Sequence, residues 1–121
     1  MADLTAIMNW TFIEEVAVPA DVEKLFVEGE EAKVAYKTIR DTAVITNKRL
    51  LIADKQGLTG KKVEIYTIPF KSIDMYSSEN GGTFDTNAEL ELWTRSGRFK
   101  LNVNKKVDIR KLDRILAEAI L

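Results

Sequence analysis

The sequence of 121 residues contains no cysteine and no histidine. Without cysteine, the chain forms no disulfide and offers no thiolate as a nucleophile or metal ligand. Without histidine, it lacks the side chain that most often serves as a general base and as a zinc ligand. We therefore expect neither a metal site nor a cofactor, and the absence of cysteine fits a cytoplasmic protein.

The sequence also has no excess of charge and no long apolar run. Its 18 basic and 19 acidic residues leave a formal net charge of −1, so we predict no nucleic-acid partner. No apolar run approaches the roughly 20 residues of a membrane-spanning helix, and MADLTAIMNW at the N-terminus has no basic residue to suggest a signal peptide. A hydrophobic content of 45% and a charged content of 31% predict one soluble cytoplasmic domain over 1–121.

The first thirty residues show the spacing of a helix. Apolar side chains fall close to one helical face over 3–17. Pro19 interrupts the pattern, and 20–27 predicts a second, short helix that Gly29 would end. We therefore predict a helical N-terminal extension over 1–30.

From residue 33 onward the apolar residues follow the two-residue period of β-strands. Arg40 and Asp41 mark the first turn, and in KSIDMYSS the alternation places Ile73 and Met75 inward. The other predicted strands are AKVAYKTI at 32–39, TAVIT at 42–46, RLLIAD at 49–54 and VEIYTIP at 63–69.

The segment ELELWTRSGRFKLNV at 89–103 predicts a hairpin. A two-residue turn at Ser96 and Gly97 sets its register. The expected pairs are Arg95 with Arg98, Thr94 with Phe99, Trp93 with Lys100, Leu92 with Leu101 and Leu90 with Val103. This register puts the leucines and Phe99 on one face, and the charged residues with Trp93 on the other.

A last helix over 108–121 is predicted from its cap and its apolar stripe. Asp108 is suited to cap the helix at its N-terminus. The stripe consists of Ile109, Leu112, Ile115, Leu116, Ala119 and Ile120. Helices, about seven antiparallel strands and one final helix predict a mainly β fold, with a bent or closed sheet over 31–104 and the last helix over one open end.

The motif GLTG at 57–60 precedes a lysine pair. Its spacing differs from that of a Walker phosphate loop, and a strand follows it instead of a helix, so we interpret it as a hairpin connection. Lys55, Lys61 and Lys62 still define a candidate patch for an anionic ligand. The other interpretation of these lysines is an ordinary solvated face.

The 19 carboxylates show no arrangement that is typical of catalysis. Glu89 and Glu91 point outward from a predicted strand, and Asp113 and Glu118 lie on the surface of the last helix. No nucleophile, base and orienting group occur at a recognisable spacing. We therefore predict a protein without enzymatic activity.

One long segment resembles a known family. TNKRLLIADKQGLTGKKVEIYTIPFKSID at 46–74 closely resembles the bacterial pleckstrin-homology-like (PH-like) family, and the resemblance continues through GTFD at 82–85, AELELW at 88–93 and the helix from Asp108. It implies a PH-like barrel of seven antiparallel strands in two near-orthogonal sheets, capped by the C-terminal helix. It also implies a non-enzymatic protein that assembles into cyclic rings, five-fold for a single domain, and offers a hydrophilic surface to a protein partner.

We expect that surface on the polar faces of the early strands. The residues expected to face a partner are Lys37, Arg40, Asp41, Lys48 and Arg49. The alternative is a peripheral domain that binds anionic lipid weakly, through Lys55, Lys61 and Lys62. The region that holds phosphoinositides in eukaryotic PH domains matches KTIRDTAV at 37–44. Its turn carries an acidic residue, which argues against a phosphate ligand.

Overall fold

The computed structural model describes residues 8–56, 62–79 and 87–121. Within these ranges the chain forms eight strands, two α-helices and one 3-10 turn. In chain order the elements are β1 (Met8–Val16), α1 (Ala20–Glu23), β2 (Ala32–Thr38), β3 (Thr42–Thr46), β4 (Arg49–Gln56), β5 (Lys62–Pro69), the 3-10 turn (Phe70–Ser72), β6 (Ile73–Glu79), β7 (Ala88–Thr94), β8 (Gly97–Val103) and α2 (Ile109–Ile120).

The eight strands form one open sheet in the order β5-β4-β3-β2-β1-β8-β7-β6. Neighbours pair antiparallel, except that β1 and β8 are parallel. No pairing joins β5 to β6 in the described part of the chain, so both are edge strands. The prediction of a closed barrel is therefore wrong, and the sheet has eight strands where about seven were predicted. The two-sheet arrangement is not confirmed, because β1 links β2 to β8 in one continuous sheet.

The N-terminal segment is mainly β rather than helical. The prediction of a helix over 3–17 is wrong for the described residues, because Met8–Val16 forms β1. The short second helix predicted at 20–27 is present in part, as Ala20–Glu23. The prediction for 1–7 falls outside the described residues. The β domain consequently begins before residue 31.

The side chains of β1 explain this difference. Met8, Trp10 and Phe12 alternate and pack in the main core. Apolar residues also follow Trp10 at a three-residue spacing, so the same segment fits a helix. The backbone of β1 finds partners on both sides, where Phe12 pairs with Thr38 of β2 and with Val103 of β8. This tertiary pairing outweighs the local helical pattern.

The inner face of the sheet packs against α2, as the apolar stripe predicts. Leu112 and Leu116 are fully buried. Asp108 accepts hydrogen bonds from the backbone N–H groups of Arg110 and Lys111, at 3.1 Å each, which confirms the predicted cap. The fully buried residues of the strands in this core include Phe12, Tyr36, Ile45, Leu50, Ile52, Leu90, Leu92 and Leu101.

The segment between β1 and β2 covers part of the outer face. Val22 of α1 is buried against Ala35, Val44 and Leu51, and Phe26 packs on the same cluster. The central strands are thus covered on both faces. This explains why all five residues of β3 are buried.

The β7–β8 hairpin has the predicted faces but a different register. Thr94 pairs with Gly97, so Arg95 and Ser96 form the turn. Gly97 has a φ of +141°, which glycine adopts readily, and the Thr94 hydroxyl donates to the Gly97 carbonyl at 3.1 Å. Each residue's partner moves by two positions relative to the prediction. A shift of two keeps every side chain on its predicted face.

Two outward side chains differ from the prediction. Trp93 lies opposite Arg98 instead of Lys100, and the guanidinium carbon of Arg98 is 6.0 Å from the Trp93 ring centroid. Ile73 is buried as predicted, but Met75, also expected inward, is 55% exposed. A register irregularity between Ile73 and Met75 turns the second side chain outward.

Candidate functional site

Both edge strands present apolar side chains to solvent. On β5, Val63 is 46% exposed and Ile65 is 39% exposed, and on β6 Met75 is 55% exposed. One side of each edge strand has no strand partner among the described residues. An edge of this kind accepts another strand unless charge, proline or a bulge blocks it. β5 carries Lys62, Glu64 and the terminal Pro69, and β6 carries the irregularity before Met75, so features that block pairing occupy part of each edge. They leave Val63, Ile65 and Met75 exposed.

The five residues predicted to face a partner do not form one surface. Arg40 and Asp41 lie in the β2–β3 turn, and the exposed Lys37 lies on β2 just before it. Lys48 and Arg49 lie at the other end of β3, where β4 begins. At roughly 3.3 Å per residue, the length of β3 separates the two groups by about 16 Å.

Arg49 is engaged inside the protein. Its Nε lies 2.9 Å from Glu30 Oε2, and its Nη2 lies 3.0 Å from Glu30 Oε1. Nη2 also donates to the Leu25 carbonyl at 2.8 Å. The Glu30 side chain is fully buried, and that of Arg49 is 18% exposed. The guanidinium therefore ties the segment after α1 to β4, and most of its donors are used within the chain.

Glu30 is a buried charge that no local sequence pattern indicates. Besides Arg49, it accepts hydrogen bonds from the Thr46 hydroxyl at 2.7 Å and from the Val27 N–H at 3.0 Å. Burial raises the pKa of Glu30, but the hydrogen bonds from Arg49, Thr46 and Val27 and the charge of Arg49 together lower it to about 2. No local motif links Glu30 to Arg49, so only the fold brings them together.

The β2–β3 turn offers a less constrained arginine. Arg40 Nη1 lies 3.4 Å from Asp54 Oδ1 and 3.4 Å from the Lys55 carbonyl, and the Arg40 side chain is 57% exposed. Asp41 accepts a hydrogen bond from the Thr42 hydroxyl at 3.2 Å, inside the turn. Arg40 is thus accessible to a partner, whereas Asp41 supports the turn.

The predicted anionic-ligand patch is described only in part. Lys55 and Lys62 are exposed where β4 and β5 lead into their connection, and Lys61 falls outside the described residues. Next to them, Asp54 pairs with Glu64 across the two strands. These carboxylates reduce the positive potential at this end of the sheet.

A cleft of about 380 Å³ opens at the same end. Trp10 and Tyr66 line it, with their ring centroids 5.5 Å apart, and the Tyr66 hydroxyl donates to Glu64. This hydrogen bond raises the pKa of Tyr66. Asp54 and Arg40 complete the charged lining. Because two carboxylates face one arginine here, the cleft is poorly suited to phosphate.

A second cleft, of about 450 Å³, lies between the β3–β4 turn, the β5–β6 connection and the last turn of α2. We call this cleft the basic cleft. The residues that line it include Val27, Glu30, Lys48, Arg49, Pro69, Phe70, Lys71 and Ala119. Two predicted partner residues, Lys48 and Arg49, meet here. Lys71 joins them because Arg49 pairs with Pro69. Only the pairing of β4 with β5 brings Lys71 to this site, and no local sequence pattern indicates it.

Across 8–56, 62–79 and 87–121, no group of three or more acidic, histidine or cysteine side chains is placed to hold a metal ion. No helix in those ranges has the length and apolar character to span a bilayer.

The chain matches a known family and several known proteins. The family model of the bacterial PH domain matches residues 3–120. The uncharacterized protein YjqA of Bacillus subtilis (strain 168) is 44% identical over 85 residues, which cover 70% of this chain and 68% of YjqA. YozO from the same strain is 34% identical over 97 residues, 80% of this chain and 84% of YozO.

A solved structure has the same fold. It is a DUF1696 family protein with a pleckstrin-homology domain from Shewanella loihica PV-4, with a TM-score of 0.78 and 36% identity. The match covers 89% of this chain and 97% of that protein. The sequence resemblance over 46–74, the PH-like sheet and helix, and these matches lead to one conclusion: the chain belongs to the bacterial PH-domain family.

Proposed function

We propose that this PH-domain protein is a non-enzymatic cytoplasmic assembly module. Its copies join through their sheet edges and present a hydrophilic surface to a protein partner. The observation that supports this most is the open sheet, in which Val63 and Ile65 on β5 and Met75 on β6 are exposed.

The two edges differ, so one contact joins β5 of one copy to β6 of the next. A contact between unlike surfaces repeats until it closes on itself. Closure into a ring pairs every edge and removes the exposed apolar side chains from solvent. The family resemblance implies five copies for a single domain, and we propose a ring of that size.

The partner-facing surface is proposed on the accessible cations of the early strands. Lys37, Arg40 and Lys48 are exposed. These cations form two separate patches, at opposite ends of β3. Asp41 and Arg49 contribute to the patches indirectly, because their hydrogen bonds hold the two turns that carry Arg40 and Lys48.

Size-exclusion chromatography with light scattering tests the assembly. The wild type is expected at about five chain masses at micromolar concentration. Ile65→Lys places a charge on the β5 edge and should yield monomers. Ile39→Lys makes the same change at a residue that is 76% exposed in the β2–β3 turn, and should keep the assembly. A wild type that stays monomeric across the micromolar range contradicts the proposal.

A second candidate function is weak binding to an anionic membrane surface, which the tip of the β2–β3 turn favours. Ile39 is 76% exposed beside Arg40, and Lys55 lies within hydrogen-bond reach of Arg40 through its carbonyl. An exposed apolar side chain with neighbouring cations suits an anionic bilayer surface. Co-sedimentation with phosphatidylserine vesicles at low salt should then depend on Ile39. An absence of pelleting at low salt rules this candidate out.

A further inference from the structure

The basic cleft has fixed walls. The Phe70 N–H donates to the Lys48 carbonyl at 3.0 Å, and Arg49 pairs with Pro69 in the sheet. These contacts hold the β3–β4 turn against the β5–β6 connection. Lys48 and Lys71 therefore line the cleft from backbone that is anchored on both sides.

The lining of the cleft is positive. Glu30 neutralises Arg49 through two hydrogen bonds. Among the described residues, no ion pair involves Lys48 or Lys71, and both are exposed. The lining carries no carboxylate besides Glu30. Lys48 and Lys71 are thus its uncompensated charges.

Part of the lining is apolar, and Asn47 and Thr67 add uncharged polar groups to it. Val27 is 57% exposed and offers the largest apolar surface, whereas Phe70 is only 4% exposed. Pro69 and Ala119 complete the apolar lining. An apolar group that packs here is removed from water and gains about 25 cal/mol for each Å² buried.

We propose that the basic cleft binds a short acidic peptide segment of a protein partner. An apolar residue of that segment packs on Val27 and Pro69, and its neighbouring carboxylates lie beside Lys48 and Lys71. The proposal rests on the proposed function as an interaction module and names the chemistry of its partner.

Three observations favour a peptide. The volume of about 450 Å³ falls in the usual range for ligand sites and accommodates a small number of side chains. The combination of two cations with a partly apolar lining matches a segment that carries both kinds of side chain. Finally, the cleft lies at the end of β3 opposite to Ile39, so a bilayer that contacts Ile39 would not reach it.

Fluorescence polarisation tests the proposal on the full chain. The probe is a fluorescein-labelled peptide with Glu-Leu-Glu at its centre, and we expect saturable binding that weakens between about 50 and about 500 mM NaCl. The double variant Lys48→Gln, Lys71→Gln should bind it about tenfold more weakly. The matched double variant Lys55→Gln, Lys62→Gln removes two exposed lysines at the other end of the sheet and should bind like the wild type.

Peptide controls separate the two parts of the site. Replacing Glu-Leu-Glu by Gln-Leu-Gln removes the charges, and replacing it by Glu-Ser-Glu removes the apolar anchor. Both peptides should bind more weakly than the probe. Equal binding of the Gln-Leu-Gln peptide, unchanged binding by the Lys48→Gln, Lys71→Gln variant, or no saturable binding of the probe overturns the proposal. Phosphatidylserine vesicles that bind through these two lysines, while the probe does not, would assign the cleft to lipid and also overturn it.

Light scattering on the same samples distinguishes this proposal from the assembly. The Lys48→Gln, Lys71→Gln variant should keep the mass of the wild type, because neither lysine lies on β5 or β6. A monomeric wild type that still binds the probe contradicts the ring and supports the cleft. Circular dichroism melting should show that both double variants are folded, since all four lysines are exposed.

Discussion

Arg49 holds the buried carboxylate of Glu30 with two hydrogen bonds, from Nε at 2.9 Å and from Nη2 at 3.0 Å. The pair joins the segment that follows α1 to the first residue of β4. It also fixes the turn that carries Lys48, because the Thr46 hydroxyl donates to Glu30 and accepts from the Lys48 N–H. One ion pair therefore supports both the outer-face cluster and the basic cleft.

Removing the carboxylate should be costly. Glu30→Ala leaves Arg49 in a largely buried position without its counterion, and we expect the free energy of unfolding to fall by about 3 kcal/mol. Urea denaturation at pH 7 measures the loss. Glu31→Ala is the control, because the Glu31 side chain is 75% exposed and lies 3.7 Å from Lys33, so its loss should stay below about 0.5 kcal/mol. Similar losses for both variants would contradict a structural role of the buried pair.

Because of the same carboxylate, we expect the free energy of unfolding to fall in acid. The pKa of Glu30 is lowered from 4.5 to about 2 by folding. As the pH falls, the unfolded chain takes up the proton first, so the stabilisation is fully present above about pH 4.5 and is lost progressively toward pH 2. This contribution amounts to about 3 kcal/mol. The difference in the free energy of unfolding between the wild type and Glu30→Gln should therefore become smaller as the pH falls from 7 to 3. An unchanged difference would show that the pKa of Glu30 is not lowered by folding.

The cap of α2 offers a smaller, local test. Asp108→Ala removes the acceptor for the N–H groups of Arg110 and Lys111, and should lower the free energy of unfolding by about 1 kcal/mol. Asp108→Ser keeps an oxygen in the capping position and should recover most of the loss. Thermal unfolding compares the three proteins. A serine variant no more stable than the alanine variant would show that capping is not the cause.

Mixing two variants tests the proposed pairing of unlike edges. Ile65→Lys blocks β5 and leaves β6 intact, whereas Met75→Lys blocks β6 and leaves β5 intact. Each variant alone should be monomeric, and an equimolar mixture should form dimers through the one intact edge that each provides. Light scattering reads out the mass. Dimers of one variant alone would indicate that like edges pair, against the proposal.

The elements predicted correctly are those whose signal is local. Strands β2 to β8 follow an alternating or continuous apolar pattern, and α2 has a capping aspartate followed by a stripe that buries Leu112 and Leu116. In the hairpin, side-chain alternation gives the correct faces. The register depends on the backbone angle of Gly97, which the sequence pattern does not contain.

The remaining features depend on contacts between distant parts of the chain. β1 is a strand because β2 and β8 lie on either side of it, and its own spacing permits a helix. In the candidate sites, the sequence indicates cations such as Lys48, because the residue type alone gives the charge of a side chain. It does not indicate that Arg49 is bound to Glu30, or that Lys71 joins the basic cleft, because both follow from strand pairing.

The position of β1 also sets the order in which the chain can fold. Met8 pairs with Phe99, so a strand near the beginning of the chain is completed by one near its end. During synthesis, β8 leaves the ribosome long after β1. Until then, the edge of β1 that pairs with β8 has no strand partner. The β2–β3, β4–β5 and β7–β8 hairpins close over short loops and are expected to form early. We therefore expect the joining of the two groups of hairpins through β1 to be the slow step that completes the sheet.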